Sequence, residues 1–321
     1  MSVPCEKLIP FSVPSYDQLL CDYDADYRAL WHYMHPRPRA CFTVDMLQEM
    51  RDVQEQVSRH GTQFSTGSDD VRYLVLASAV PSIFNLGGDL DLFFKLISNR
   101  DRNGLRAYAD LCIDCVYGYA THAHKEGLMT IALVQGKALG GGFEAALSCN
   151  VLVAERGAKL GFPEILFNLF PGMGAYSFLV RRLDPIRAER FMQQGEQYSA
   201  EELYDMGVVD VLAENGEGVH VVREYIRRRE RVRNGMSAIQ RIREESHPVT
   251  REELDRIATL WVETAMQITS RDLRTMLRLT SAQHRLHAAE PVSTKPQIIP
   301  FPFEDKRSVV EEEGLESLIA G

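Results

Sequence analysis

No stretch of about 18 consecutive apolar residues occurs in the chain, so the sequence offers no membrane-spanning helix. The start, MSVPCEKLIPFSVPSYDQ, has no basic segment followed by an apolar core; no signal peptide is expected, and a cytoplasmic location is. Positive charge is in deficit. With 36 Lys and Arg against 45 Asp and Glu the net charge is −9, which argues against electrostatic nucleic-acid binding. The cysteines are few and scattered, at positions 5, 21, 41, 112, 115 and 149. Only Cys112 and Cys115 stand close, and neither a second CxxC nor an HxxxH completes a tetrahedral metal set. In a helical stretch such as "LCIDCVYG" that pair reads as core packing. A Gly-x-x-x-x-Gly-Lys-Ser/Thr phosphate loop, internal repeats and low-complexity tracts are also missing. What remains is an ordinary globular composition, 45% hydrophobic and 25% charged. The 321 residues suffice for one large domain, or a domain with a helical addition.

Buried strands alternate with helices. Residues 20–34 alternate in the manner of strands before two prolines in "HPRPRA" interrupt them. Residues 43–59 read as an amphipathic helix with Thr43 as N-cap. "VRYLVLASA" (71–79), "LMTIALVQG" and "NVLVAE" (150–155) are continuous apolar runs, as expected of strands buried on both faces, and a long helix is expected over about 101–125. The second run leads straight into a glycine cluster. This order predicts an α/β architecture with crossover connections. Beyond residue 217 the pattern becomes helical and basic. Thr250 with Glu253 then signals a capping box for one last helix, about 251–288. Four prolines past residue 290 predict an extended or partly disordered tail.

The central segment "GKALGGGFEAALSCN" places Gly140, Gly141 and Gly142 before a carboxylate. Gly140 to Ala145 satisfies G-x-G-x-x-G/A, but only "FEAALSC" separates the glycines from the next strand, too short for the helix of a dinucleotide fold. An oxyanion hole fits better. A short helix opening at Gly142 or Phe143 leaves N–H donors unpaired, and glycines let a carbonyl oxygen reach them. "FNLGGDLD" (84–91) offers a second glycine loop after a buried strand. Glu144 follows the glycines, and Glu164 lies in the apolar loop "KLGFPEILFNLFPGMGA", where desolvation would raise its pKa. Taken singly, either glutamate suits a helix N-terminus; together with two glycine loops that could stabilise an enolate or a tetrahedral oxyanion, the two carboxylates would suit abstraction of a proton at C2 and handling of a hydroxyl at C3 of a thioester.

These segments resemble the crotonase (enoyl-CoA hydratase/isomerase) superfamily over about residues 25–215, through "HPRPRACFTVDMLQEM", "FNLGGDLDLF", "GKALGGGFEAALSCNVLVAERGAKLGFPEILFNLFPGMGA" and "FMQQGEQYSAEELYDMGVVDVL". The resemblance implies a spiral of ββα turns followed here by a C-terminal helical extension, and association as a homotrimer. It puts the oxyanion donors on the N–H groups of Gly88 and Gly141, with Glu144 and Glu164 as the catalytic carboxylates, and it requires no metal or nicotinamide cofactor. The corresponding organisation is a lead (1–24), a spiral core (25–215), a helical region (216–290) and the tail (291–321). Within the superfamily, "IFNLGGDLDLF", "FPEILFNLFPGMGAYSFL" and "HPVTREEL...LWVETA" are similar to the diffusible-signal-factor synthases of Gram-negative bacteria. Such enzymes take a 3-hydroxyacyl chain on acyl carrier protein to the cis-2-enoyl thioester and release the free fatty acid.

By family analogy Glu164 removes the C2 proton and Glu144 protonates the departing hydroxyl, with the reverse assignment left open. A bent acyl chain needs apolar walls, for which Met173 and Trp261 are candidates; at helical spacing both also read as plain core. Arg228 and Arg231, in a basic run with Arg227, Arg229, Arg233 and the earlier Arg181 and Arg182, are candidates for steering an acidic carrier protein. The competing reading is a solvated helix face paired with Glu224, Glu230 and Glu244. Two other functions stay open: an ordinary enoyl-CoA hydratase or isomerase acting on acyl-CoA, and a module that binds a sensor or regulator protein.

Overall fold

Strands β1 (Leu19–Asp24) and β2 (Ala29–Met34) pair antiparallel, with Leu19 opposite Met34 and Asp24 opposite Ala29. The structure, a computed structural model, describes residues 15–63, 71–125 and 127–288. The expectations for the first 14 residues and for the tail lie outside the described residues. Helix α1 (Val44–Gln63) begins where the sequence placed it: Thr43 Oγ1 accepts the Met46 N–H at 3.1 Å.

The chain then winds through repeated β–β–α turns. The first is β3 (Tyr73–Ser78), β4 (Ile83–Asn85) and α2 (Leu90–Ser98), followed by α3 (Arg102–Ala120). The second is β5 (Met129–Val134), β6 (Lys137–Leu139) and α4 (Gly141–Ser148). The third is β7 (Val151–Glu155) and β8 (Lys159–Gly161), then a 3₁₀ turn (Glu164–Phe167) with α5 (Ala175–Leu179) and α6 (Pro185–Gln194). β9 (Gln197–Ser199), α7 (Ala200–Asp205) and β10 (Val211–Ala213) complete the spiral. Each turn gives its first strand to a six-stranded sheet, ordered β1-β2-β3-β5-β7-β10, and its second to a four-stranded sheet, ordered β4-β6-β8-β9. Beyond the β1–β2 pair the larger sheet is parallel throughout, hence its continuous apolar strands.

The expected strand "LMTIALVQG" (128–136) is β5, and directly after it the chain passes into β6 of the other sheet. The chain turns the corner at Gly136, which lies so close to Ser82 that a Cβ there would stand 2.1 Å from the Ser82 carbonyl carbon.

Alternate strand residues build two cores. Leu30, Leu74, Leu76, Ala132, Val134 and Leu152 pack with α1, α3 and α4 on one face. Trp31, Tyr73, Val75, Ile131, Leu133 and Val153 face the other way, against Val222 and Ile226 of α8 (Gly218–Arg231). Cys112 and Cys115 are buried in the first core. Helix α9 (Arg233–Ser246) buries no residue.

The single last helix is in fact two, α10 (Arg251–Ala265) and α11 (Ser270–Ala288). The apolar face runs across the break, but Thr269 and Asp272 restart the helix: the Asp272 carboxylate accepts the Thr269 N–H at 2.8 Å. Thr250 does cap α10, through the Glu253 N–H at 3.1 Å; the Glu253 carboxylate turns to Arg181 at 2.9 Å. Helix α10 is tied to α3 by Arg106 with Asp255 and Thr259, and by Arg251 with Asp114.

Candidate active site

Neighbouring parallel strands end in neighbouring loops, and the smaller sheet uses this twice. β4 pairs with β6, so the loop Leu86-Gly87-Gly88 lies beside Gly140-Gly141-Gly142. At Gly140 the backbone takes φ 53° and ψ −127°, which side chains avoid, and a Cβ would stand 2.3 Å from Glu164 Oε1. Helix α4 starts at Gly141, a residue earlier than the sequence suggested, and its first N–H groups have no carbonyl below them. Phe143 and Glu144 donate to Gly140 O, whereas the N–H groups of Gly88 and Gly141 find no acceptor among the described residues. Both glycines line one cavity of about 260 Å³.

Glu144, in the first turn of α4, is 1% exposed. Its Oε1 accepts the N–H of Met173 at 2.7 Å and of Ala175 at 2.9 Å. Glu164 opens the 3₁₀ turn after Pro163, and its Oε2 is sealed from solvent with no partner. Burial pushes Glu164 up to about 8. Burial, and then the charge of Glu164, hold Glu144 well above the ordinary carboxylate range, against the pull of its two backbone N–H bonds. Two carboxyls and two free N–H donors thus share one end of the cavity. That combination can hold a carbonyl oxygen while protons move at the neighbouring carbons.

Most of the remaining wall is apolar, with Lys137 and Gln197 as polar members. Met173 lies against Gly141, and Trp261 of α10 meets Phe93 at 5.0 Å between ring centres, with Phe93 edge-on to Tyr108 at 5.1 Å. Leu279 of α11 lies in the same wall. Phe93, Tyr108 and Lys137 also line the cavity but were not singled out in the sequence. Phe93 had a signal, the buried stripe Leu90, Phe93 and Ile97 along α2; Tyr108 and Lys137 had none.

The arginines separate. Arg181 pairs with Glu253, and Arg182 with Asp210. Arg229 is buried, with its guanidinium 5.9 Å from the Tyr73 ring centre and a bond to Gln240. Arg227 joins Glu224, and Arg233 lies 3.9 Å from Glu230. Arg228 and Arg231 are exposed and make no ion pair among the described residues. They ride on α8, which covers the face of the large sheet opposite to α4 and the cavity.

A family model described as enoyl-CoA hydratase/isomerase matches residues 35–274, and the chain belongs to that family. Among curated proteins it is 30% identical over 132 residues to a "Probable enoyl-CoA hydratase" of Bacillus subtilis, covering 41% of this chain and 48% of that one. It is 31% identical over 148 residues to a "Fatty acid oxidation complex subunit alpha" of Idiomarina loihiensis, covering 46% and 20%. The chain thus spans about half or less of the length of these relatives. Among solved structures, DspI of Pseudomonas aeruginosa superposes with a TM-score of 0.60 at 21% identity, over 86% of this chain and all of that one. An enoyl-CoA hydratase/isomerase of Xanthobacter autotrophicus gives 0.66 at 18%, over 86% and 97%. At these identities the likeness is one of fold, the crotonase-like fold. Among the described residues, no helix is long and apolar enough to cross a membrane.

Proposed function

We propose that this protein dehydrates a 3-hydroxyacyl thioester carried on acyl carrier protein to the cis-2-enoyl thioester and then hydrolyses it, releasing a free cis-2-unsaturated fatty acid that serves as a quorum-sensing signal. The observation that carries the reading is the convergence of two free N–H donors and two buried carboxyls at one end of an apolar cavity. The Gly88 and Gly141 N–H groups hold the thioester oxygen as negative charge grows on it. Glu164 takes the C2 proton. Glu144, whose burial favours the protonated form, gives its proton to the 3-hydroxyl, which leaves as water. The same hole then stabilises the tetrahedral intermediate when water, deprotonated by a glutamate, attacks the thioester carbon and the carrier thiol departs with a proton. Met173 and Trp261 bound the space in which the chain bends. The similarity of "FPEILFNLFPGMGAYSFL" and "HPVTREEL" to the signal synthases supports the hydrolytic second step. On this reading the enzyme is a cytoplasmic homotrimer, takes its carrier protein at Arg228 and Arg231, and can also engage a sensor or regulator protein.

The family model and the curated relatives' names favour a second reading, reversible hydration of a 2-enoyl-CoA. The product separates the two. Purified protein is given a 3-hydroxyacyl carrier-protein substrate of ten to twelve carbons, and the product is identified by mass spectrometry and NMR. Free cis-2-enoic acid, lost in Glu144→Ala and Glu164→Ala, upholds the synthase. A trans-2-enoyl thioester without free acid returns the chain to the hydratases.

A further inference from the structure

We propose that Arg39 is a positioning residue that aims the Gly88 N–H into the cavity by clamping the loop that carries it. This rests on the reading of Gly88 as an oxyanion donor. A peptide unit is planar, so the Gly88 N–H and the Gly87 carbonyl point in opposite directions from one rigid plate. The Gly87 oxygen accepts the Phe42 N–H at 2.8 Å, and one residue earlier Leu86 donates to Ala40 O at 2.7 Å. The direction of the Gly88 N–H is therefore set by the segment 39–42, outside the cavity.

Arg39 fastens that segment to the far side of the same loop. Its Nη2 donates to Asp89 Oδ1 at 2.6 Å and its Nη1 to Asp91 Oδ2. Asp89 Oδ1 also caps α2, accepting the Leu92 N–H at 3.1 Å, so one carboxylate joins the guanidinium to the helix start. Tyr108 closes the ring: its hydroxyl donates to Phe42 O at 2.7 Å and accepts the Asp89 N–H at 3.2 Å. The Arg39 side chain is 9% exposed. A guanidinium spans two carboxylates two residues apart with a fixed fork, which a lysine ammonium cannot reproduce. Removing it takes away the cation between two carboxylates two residues apart beside Gly88, and their repulsion loosens the loop on the side opposite the Phe42 bond.

The test compares Arg39→Met with wild type by site-resolved amide hydrogen exchange, with Arg39→Lys and Asp91→Asn as milder variants should Arg39→Met fail to fold. Exchange of the Phe42 and Leu86 amides is expected to quicken about tenfold or more while the central-strand amides of Ile131 and Leu133 hold their rates. With a 3-hydroxyacyl thioester, kcat is expected to fall about tenfold to a hundredfold with KM within about twofold. Unchanged exchange at Phe42 and Leu86, or equal acceleration everywhere, overturns the proposal. So does a loss confined to KM. If wild-type protein turns over no such thioester, the proposed function fails, and the exchange rates still decide the role of Arg39.

Discussion

Replacing Glu164 by glutamine should make the protein more stable in alkaline solution while disabling it. Folding moves the Glu164 carboxyl from its ordinary 4.5 up to about 8. The folded chain thus holds this proton more tightly than the unfolded chain, and between these two values it binds more protons. Stability is then full below pH 4.5 and is lost progressively as pH rises through 8. Each tenfold change in proton affinity corresponds to about 1.4 kcal/mol. The whole rise sets a ceiling of about 5 kcal/mol, and since Glu164 keeps some solvent contact, about 2 to 4 kcal/mol is the expected loss between pH 5 and 9. Glutamine has the shape of the protonated acid and cannot ionise, so the variant should escape that loss. Urea unfolding at pH 5, 7 and 9 measures it. Any constant offset from the new amide cancels when the slopes of stability against pH are compared. Parallel curves for wild type and variant would refute the claim that a desolvated, proton-holding carboxyl sits at residue 164.

Three further outcomes follow from the geometry. Gly140→Ala puts a methyl group onto Glu164 Oε1 at a positive φ, so turnover should fall at least about a hundredfold, measured against an unchanged circular dichroism spectrum. Trp261→Ala removes the ring that meets Phe93, so longer acyl chains should be accepted in competition assays, at a stability cost of about 3 kcal/mol in urea. Arg228→Glu with Arg231→Glu should raise KM for the carrier-protein substrate several-fold and leave that for the matching acyl-CoA alone; equal effects on both, or none, would remove this surface from the carrier-docking account.

The parts of this molecule that were legible are those written locally. The strand runs announced a parallel sheet because each is buried on both sides, and Thr43 announced its helix through one side-chain bond. Two glycine loops and two carboxylates stood out in combination, the resemblance to the crotonase superfamily picked Gly88, Gly141, Glu144 and Glu164 from them, and the structure brings all four to one cavity. What escaped was set by long-range packing. The break at 266–269 hid because the apolar stripe continued through it, although Thr269 and Asp272 were there to be read. Glu253 belonged to Arg181, 72 residues away, rather than to its own cap. Arg39, Phe93 and Tyr108 gain their roles only when the segments at 39–42, 86–93 and 108 meet.

The wall containing Trp261 and Leu279 comes from helices that follow Gly88, Gly141, Glu144 and Glu164 along the chain. Contacts so distant along the chain form late, because loop closure must precede them. Until these helices are in place, the cavity lined by the glutamates and glycine loops lacks that wall. On the proposed reading, thioester chemistry sheltered from water needs α10 and α11 in place, because a chain without them lacks the side of the acyl-binding cavity that Trp261 and Leu279 form.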